Sequence, residues 1–335
     1  MDGSFTSTSP DTRPVPPGLP VGWYLVGRSE DAGTAARPVR LGGEEWVLWR
    51  DGSGAPRLHT AWCPHLGAHL GQGGTVRDGR LVCPFHGFAF DGDGACVATG
   101  YGTPPPRSAR LGTRPVLTRD GLLYAWLGGG APGWEPEVLD PAGWSPYRLH
   151  GWELRGHPQE ISENSVDVGH FAHVHGYRSV ETVEDARADG PCLRAAYRFE
   201  KPVGGAWARE TIRVAVWGLG LSRVEVEDDW VGARFRLLVL PTPLEADRIR
   251  LTIGLSVQDP SLAPRGAWRF LPRWLVRGVI APIVLHNYGR DVERDFAIWS
   301  HKAWLARPAL AAGDGPIGLY RAWTRQFYPE VECPA

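Results

Sequence analysis

At 335 residues the chain is long enough for two domains that each bury a core of their own. Its 36 basic and 37 acidic residues leave a formal charge of -1, so overall electrostatics give no reason to expect nucleic acid or an anionic membrane as partner; small molecules and redox proteins remain. Five cysteines are too few for a disulfide framework and fit a reducing cytoplasm, while 43 glycines and 30 prolines favour turns and short strands over long helices.

Residues 1–20 are polar and proline-rich, lack the basic leader and apolar segment of a signal peptide, and read as a disordered tail. From Gly22 to about Leu127, short apolar runs alternate with Gly, Asp and Pro turns: Trp23–Val26, Trp46–Trp49, Leu81–Val82 and Leu122–Leu127. That pattern predicts a small antiparallel β domain over residues 21–135. Within it, Cys63-Pro64-His65 and Cys83-Pro84-Phe85-His86 place one Cys and one His in each of two loops. Two thiolates on one iron and two imidazoles on the other are the ligand set of a Rieske [2Fe-2S] cluster, whose potential lies well above that of an all-cysteine cluster. A structural zinc ion is the alternative, but zinc sites tend to group Cys with Cys and His with His, whereas each loop here is mixed. Trp62, Leu66, Phe85 and Phe88 supply the apolar surroundings that limit water access and tune a cluster. Single-electron chemistry follows, and Cys96, Cys192 and Cys333 are left over as an odd remainder.

Gly128 to Trp144, rich in Gly, Pro and Trp, reads as a linker into a second domain over residues 136–335. Alternation in Glu210–Val216, Arg234–Leu240 and Arg248–Ile253 predicts an antiparallel sheet with one wet face. Helices are expected near Ser162–His173 and Asp291–Ala303, giving an α+β domain in which a curved sheet packs against helices. Trp274–Leu285 is apolar but interrupted by Arg277, Gly278 and Pro282, and is too short to cross a bilayer. It reads as a buried or pocket-lining helix, with a peripheral membrane contact as the less favoured reading.

The segment Glu163–His175 gathers His170, His173, His175 and Asp167. Two histidines and one carboxylate on one face are a common set for non-haem Fe(II), leaving positions open for O2. His170 and His173 are neighbours on a regular helix; His170 and His175 need an irregular last turn, which Gly169 and Gly176 would permit. A carboxylate must come from elsewhere, and Arg290–Trp299 offers Asp291, Glu293 and Asp295. At helical spacing Asp291 and Asp295 share a face and Glu293 does not, so spacing leaves the two aspartates open. A core network of satisfied histidines, or an N-cap and solvated face for the acidic run, are the blander readings. His59, His69, His150, His157, His286 and His301 read as structural or surface residues.

With both motifs in order, the chain resembles the large subunit of the Rieske non-haem iron oxygenases: Cys-x-His, a seventeen-residue gap, Cys-x-x-His, then Asp-x-x-His-x4-His. The likeness runs from Gly22-Trp23-Tyr24 to Tyr320-Arg321-Ala322-Trp323. It implies an all-β Rieske domain followed by a helix-grip-like catalytic domain. It also implies cluster ligands Cys63, His65, Cys83 and His86; iron ligands His170, His175 and Asp295; and His173 as a non-ligand. Asp167 matches the family's bridging aspartate, which hydrogen-bonds an iron-ligand histidine and, across a subunit boundary, a cluster histidine such as His86. A homotrimer is therefore implied, as are a ferredoxin or flavin-dependent ferredoxin reductase as electron donor, and O2 with an apolar small molecule as substrates. His157–Asn164 is most similar to the steroid-acting branch, which includes cholesterol 7-desaturases and 3-ketosteroid 9α-hydroxylases, although oxygenases tailoring natural products carry similar segments. The chain differs from membrane-bound desaturases in having no N-terminal transmembrane helix. A pure electron carrier is the rival from another class, and the length of chain beyond the first domain argues against it.

Overall fold

The structure, a computed structural model, describes residues 14–16 and 18–328; most of the expected tail, and Cys333, lie outside these residues. Of the described part of that segment, Pro14 O accepts from Trp304 N (2.8 Å) and Gly18 O lies 3.0 Å from His157 Nε2. Three small antiparallel sheets make up the first domain. Glu44–Arg50 shows how its sequence works: Trp46 to Trp49 are all buried, because Val47 and Trp49 point into one core and Trp46 and Leu48 into another. A continuous apolar run is what a strand between two cores requires.

In the second domain the strands Arg178–Asp189, Cys192–Val203, Ala206–Trp217, Leu221–Asp228, Arg234–Glu245 and Arg248–Val257 follow one another as an antiparallel meander. Arg148–Arg155 joins the last of them to complete seven strands. The helix Ala281–His301 packs against this edge through Val292 and Trp299, which meet Ile249, Leu251 and Ile253. The α+β reading therefore holds.

Three local expectations change. The helix predicted over Ser162–His173 is two short helices, Pro158–Glu163 and Val168–His173. The first starts early because Pro158 suits the first turn and His157 Nδ1 accepts from Gln159 N (3.2 Å); the second starts afresh because Asp167 caps it. The helix expected from Asp291 begins instead at Ala281. Pro282 falls in its first turn, where a missing N–H costs nothing, and a π-helical turn at Val276–Ile280 absorbs Gly278. Asp291 is thus mid-helix and not an N-cap.

The third change concerns the sheet's wet face. On Leu221–Asp228 and Arg234–Glu245 the residues facing away from the helices, Leu221, Leu238 and Leu240, are fully buried against Trp23, Tyr124 and Trp126 of the first domain. Gly220 marks how close the contact is: a Cβ there would lie 2.3 Å from Trp23 O and 2.6 Å from the Tyr24 ring. Thr242 Oγ1 donates to Leu25 O (3.0 Å), and Gly42 N and Gly43 N donate to Pro243 O and Leu244 O (2.9 and 2.8 Å). Arg223, almost wholly buried in this contact, pairs with Asp120 of the first domain at 3.1 Å. Removing one partner of such a pair leaves an uncompensated charge in a dry interface. Asp120→Ala should therefore lower stability by about 3 kcal/mol or more in urea denaturation, and a change within error would show that the pair does not hold the domains together.

Candidate metal centres and the cavity between sheet and helix

Two loops of the first domain carry the Cys and His motifs on the same backbone scaffold. In each, the cysteine carbonyl accepts from a glycine four residues on, Cys63 from Gly67 (2.9 Å) and Cys83 from Gly87 (3.2 Å). Each cysteine N–H donates five residues on, Cys63 to Ala68 O and Cys83 to Phe88 O, both at 2.8 Å. Gly67 and Gly87 close these loops with φ of 72° and 65°, a region that costs a residue with a Cβ. The second loop is strapped further by Gly100, whose N–H donates to His86 O (3.2 Å) and whose Cβ, if it had one, would lie 2.4 Å from that oxygen.

The four side chains converge. Cys63 and Cys83 are buried, and the His65 and His86 rings lie 4.8 Å apart, with His65 stacked on Phe88 at 4.3 Å. Both Nδ1 atoms are buried without a hydrogen-bond partner, an arrangement that is costly unless something else binds them. Burial pushes the Cys63 thiol up to about 11; the backbone bond from His65 opposes this and the Cys83 thiol beside it adds to it. A cationic centre would let the Cys63 thiol ionise, and the Cys83 sulfur and the two orphaned imidazole nitrogens would complete its ligand set. These residues fit a Rieske cluster.

Cys96 stands outside the set, its thiol donating to Ala98 O (3.3 Å). His69 is also accounted for: Nδ1 accepts from Gly71 N (3.1 Å), Nε2 lies 3.4 Å from Glu45, and the ring meets Trp62 edge-on. His59 is wedged between Trp49 Nε1 and Gly92 O, each at 3.2 Å, and burial takes it down to about 4.

In the second domain, Asp167 Oδ1 accepts from His170 N (3.2 Å) and starts the helix Val168–His173. The chain leaves this helix at Val174 and turns through Gly176 (φ 70°), which swings His175 back beside His170 with ring centroids 5.1 Å apart. This is the irregular turn that the five-residue spacing demands. His173 is exposed on the other face and contacts Gly169 O. Asp295, buried on the helix Ala281–His301, brings a carboxylate oxygen to within 3.4 Å of His175 Nε2. The candidate ligand atoms of His170, His175 and Asp295 all lie within 4.8 Å of one another.

Geometry separates the two aspartates that spacing could not. Asp291 sits on the opposite side of the His175 ring, 3.3 Å from Nδ1, and is engaged by Tyr177 OH and by Arg294 at 3.2 Å. Glu293 faces away and accepts from Trp152 Nε1 (3.0 Å). Burial alone would depress His175, but the two aspartates outweigh it and hold it up at about 9. His170 is pushed down, chiefly by burial. An imidazole that holds a proton because two carboxylates flank it marks a place where a cation is favoured, and the donor set suits Fe(II). Tyr177 was not singled out from the sequence; its place directly after His175-Gly176 was the available signal.

Asp167 differs from the simplest form of the family pattern. Its carboxylate lies 3.9 Å from His170 Nδ1, beyond hydrogen-bond reach, and that nitrogen instead contacts the Asp167 backbone carbonyl. About a third of its side chain is exposed.

A cavity of about 900 Å3 opens from the triad between helix and sheet. Its walls are mainly apolar, among them Phe171, Phe199, Val226, Phe235 and Trp268, and besides the triad they include the ion pair of Lys201 with the buried Glu210, at 2.7 Å. Burial raises Glu210 and Lys201 works against the rise.

The 3-ketosteroid 9alpha-hydroxylase C-terminal domain family matches residues 127–328, and the Rieske [2Fe-2S] domain family matches residues 22–108. A cholesterol 7-desaturase of Hemicentrotus pulcherrimus is 29% identical, with 94% of this chain and 71% of the relative covered. A probable 3-ketosteroid-9-alpha-monooxygenase, oxygenase component, of Rhodococcus rhodochrous is 28% identical over 98% of this chain and 86% of its own. Among solved structures, NdmA of Pseudomonas putida CBB5 with caffeine superposes with a TM-score of 0.70 at 17% identity, covering 90% of this chain and 89% of the other. Dicamba monooxygenase bound to dicamba gives 0.66 at 19%, covering 91% and 96%. At these identities the structural likeness speaks for the fold.

Proposed function

Since this chain belongs to the 3-ketosteroid 9alpha-hydroxylase C-terminal domain family, joined to a Rieske [2Fe-2S] domain, and is a Rieske non-haem iron oxygenase, we propose that it hydroxylates or desaturates a steroid. The observation that carries the reading is the His170–His175–Asp295 triad set in the wall of a mainly apolar cavity of about 900 Å3. That volume is at the upper end of small-molecule pockets, and the steroid-acting relatives point the same way. When bound, the cluster and the mononuclear iron supply one-electron transfer and O2-dependent C–H oxidation.

The chain's own residues take the following parts. Residues 21–135 form the Rieske domain, in which Cys63, His65, Cys83 and His86 hold the cluster, and residues 136–335 form the catalytic domain. His170, His175 and Asp295 would hold the iron, and the cavity that opens beside them would admit O2 and substrate. The apolar walls orient the substrate and exclude water, and which C–H bond faces the triad decides between hydroxylation and desaturation. The part-exposed Asp167 carboxylate reaches a cluster imidazole such as His86 of a neighbouring subunit in a homotrimer. Support comes from the rim of the cluster loops, where Trp62, Leu66, Phe85 and Tyr101 are exposed around the imidazoles, an apolar surface suited to a protein contact. As an oxygenase component the chain takes electrons from a partner protein, and we assign that role to a ferredoxin or a flavin-dependent ferredoxin reductase. Cys63, Cys83, Cys96 and Cys192 are all unpaired, which supports a cytoplasmic setting, and no helix among the described residues is long and apolar enough to cross a membrane.

Turnover with a surrogate ferredoxin and reductase should consume a sterol or 3-ketosteroid in an O2-dependent manner. Loss of only polycyclic aromatics from a mixed panel would overturn the steroid assignment, and no O2-dependent loss of any candidate would favour an electron carrier. His170→Ala and Asp295→Ala should each remove the mononuclear iron while the cluster's absorption survives; metal analysis showing the cluster lost instead would refute the ligand assignment. Asp167→Asn should retain both metals but slow single-turnover oxidation by about tenfold or more, and a wild-type rate would eliminate its bridging part.

A further inference from the structure

Between Pro260 and Arg290 the chain has five arginines, Arg265, Arg269, Arg273, Arg277 and Arg290, and no acidic residue, although the whole chain carries a charge of only -1. The structure gives the middle of this stretch two faces. On the inner face Trp268, Val276 and Ala281 are buried in the catalytic core, and Trp268 and Val284 line the cavity. On the outer face Phe270 is 79% and Trp274 70% exposed, and Val279 and Ile283 are exposed further along the chain. Large aromatic side chains that exposed are uncommon on a water-facing surface and mark a contact.

The cations on this face are only partly matched. Arg265 pairs with Asp229 (2.8 Å) and Arg273 with Asp259 (2.5 Å). Arg269 lies over the Phe270 ring, 5.4 Å from its centroid, and among the described residues neither Arg269 nor Arg277 meets a carboxylate. Arg148 adds a further cation by donating to Arg277 O (3.0 Å). Exposed aromatic and aliphatic side chains interleaved in sequence with unmatched arginines are the pattern of a segment that lies in a lipid headgroup layer, where rings occupy the acyl boundary and guanidinium groups meet phosphate. In the head-to-tail trimer proposed above, the subunit contact joins the exposed rim of the cluster loops to the Asp167 side of the neighbour, which leaves this face to another occupant, and a two-fold contact would set each arginine cluster against its own image.

We propose that residues 267–283 dock on an anionic phospholipid surface through Phe270, Trp274, Arg269 and Arg277. Docking rests on this surface alone. Its use, passing an apolar substrate from the bilayer past Trp268 and Val284 into the cavity, rests on the steroid reading above.

The test is flotation of the full-length, metal-loaded protein with unilamellar vesicles of phosphatidylcholine, alone or in equal parts with phosphatidylglycerol. The wild type should float with the anionic vesicles, about tenfold more than with phosphatidylcholine alone, and less as salt rises. The double variants Phe270→Ser/Trp274→Ser and Arg269→Glu/Arg277→Glu should each lose about tenfold of that binding while keeping the cluster spectrum and turnover of cyclodextrin-solubilised substrate. Wild-type protein that stays unbound, or variants that float as well as wild type, would overturn the proposal. So would a smaller assembly for Phe270→Ser/Trp274→Ser in sedimentation, since the face would then be covered by another copy. Vesicle binding without sterol turnover would leave docking intact and remove the steroid reading.

Discussion

The acids buried around His175 set the terms for the rest of the catalytic domain. Asp291 and Asp295 approach opposite nitrogens of one imidazole inside an apolar cavity, where a carboxylate is tolerated only if it is paired. Asp291 is quieted locally by Tyr177 and Arg294, and although burial raises it, its neighbours hold it down. Asp295 meets neither of these groups among the described residues and turns instead toward the space shared with His170 and His175, an oxygen 3.4 Å from His175 Nε2. Tyr177 in turn stacks on Phe199, so the aromatic wall of the cavity and the clamp on Asp291 are one structure. The side of Asp295 that faces His170 and His175 is where the candidate ligand atoms gather, and that asymmetry distinguishes the two aspartates more surely than their spacing does.

The sheet is the second half of this arrangement because neither face of its central strands is free. Ser222 pairs with Val239 and both line the cavity, while the next pair, Arg223 and Leu238, is buried against the first domain. Strand alternation thus assigns one face to the cavity and the other to the first domain. A one-residue slip in register would exchange them, placing Arg223 in the cavity and Ser222 in the interface. The Arg223–Asp120 pair and the tight approach at Gly220 both oppose such a slip.

The features readable from the sequence were those encoded locally. Each Cys and His pair lies within one loop closed by its own glycine, so the motif and the geometry are almost the same information. The strands from Trp23 to Leu127 were legible through their turns, and Leu122–Leu127 matches its predicted bounds. What could not be read depends on distant partners. Leu221, Leu238 and Leu240 look like the back of a half-wet sheet until Trp23 and Trp126 cover them. Asp291 and Asp295 are equivalent on a helix until Tyr177 and Arg294 occupy one of them. The break between the two short helices before His175 follows from Asp167 acting as a cap, which starts the second helix afresh.

Net charge misleads for a related reason. A value near zero describes the far field, which decays over about 8 Å in physiological salt, whereas a surface contact responds to the few groups within that range. Here Arg265, Arg269, Arg273 and Arg277 are exposed on a segment whose other side, at Trp268 and Val284, lines the cavity. The acids that balance the chain's total are largely elsewhere, several of them buried, as Glu160, Glu163, Glu210, Asp228, Asp259 and Asp295 are. A buried acid offsets a surface arginine in the sum but screens it little in solution unless, like Asp259 beside Arg273, it lies directly against it. Acids buried around His175 and in the cavity wall therefore leave the outer surface of this segment more basic than composition implies. The same partition that gives the interior its cation site gives the wall over the cavity its positive face.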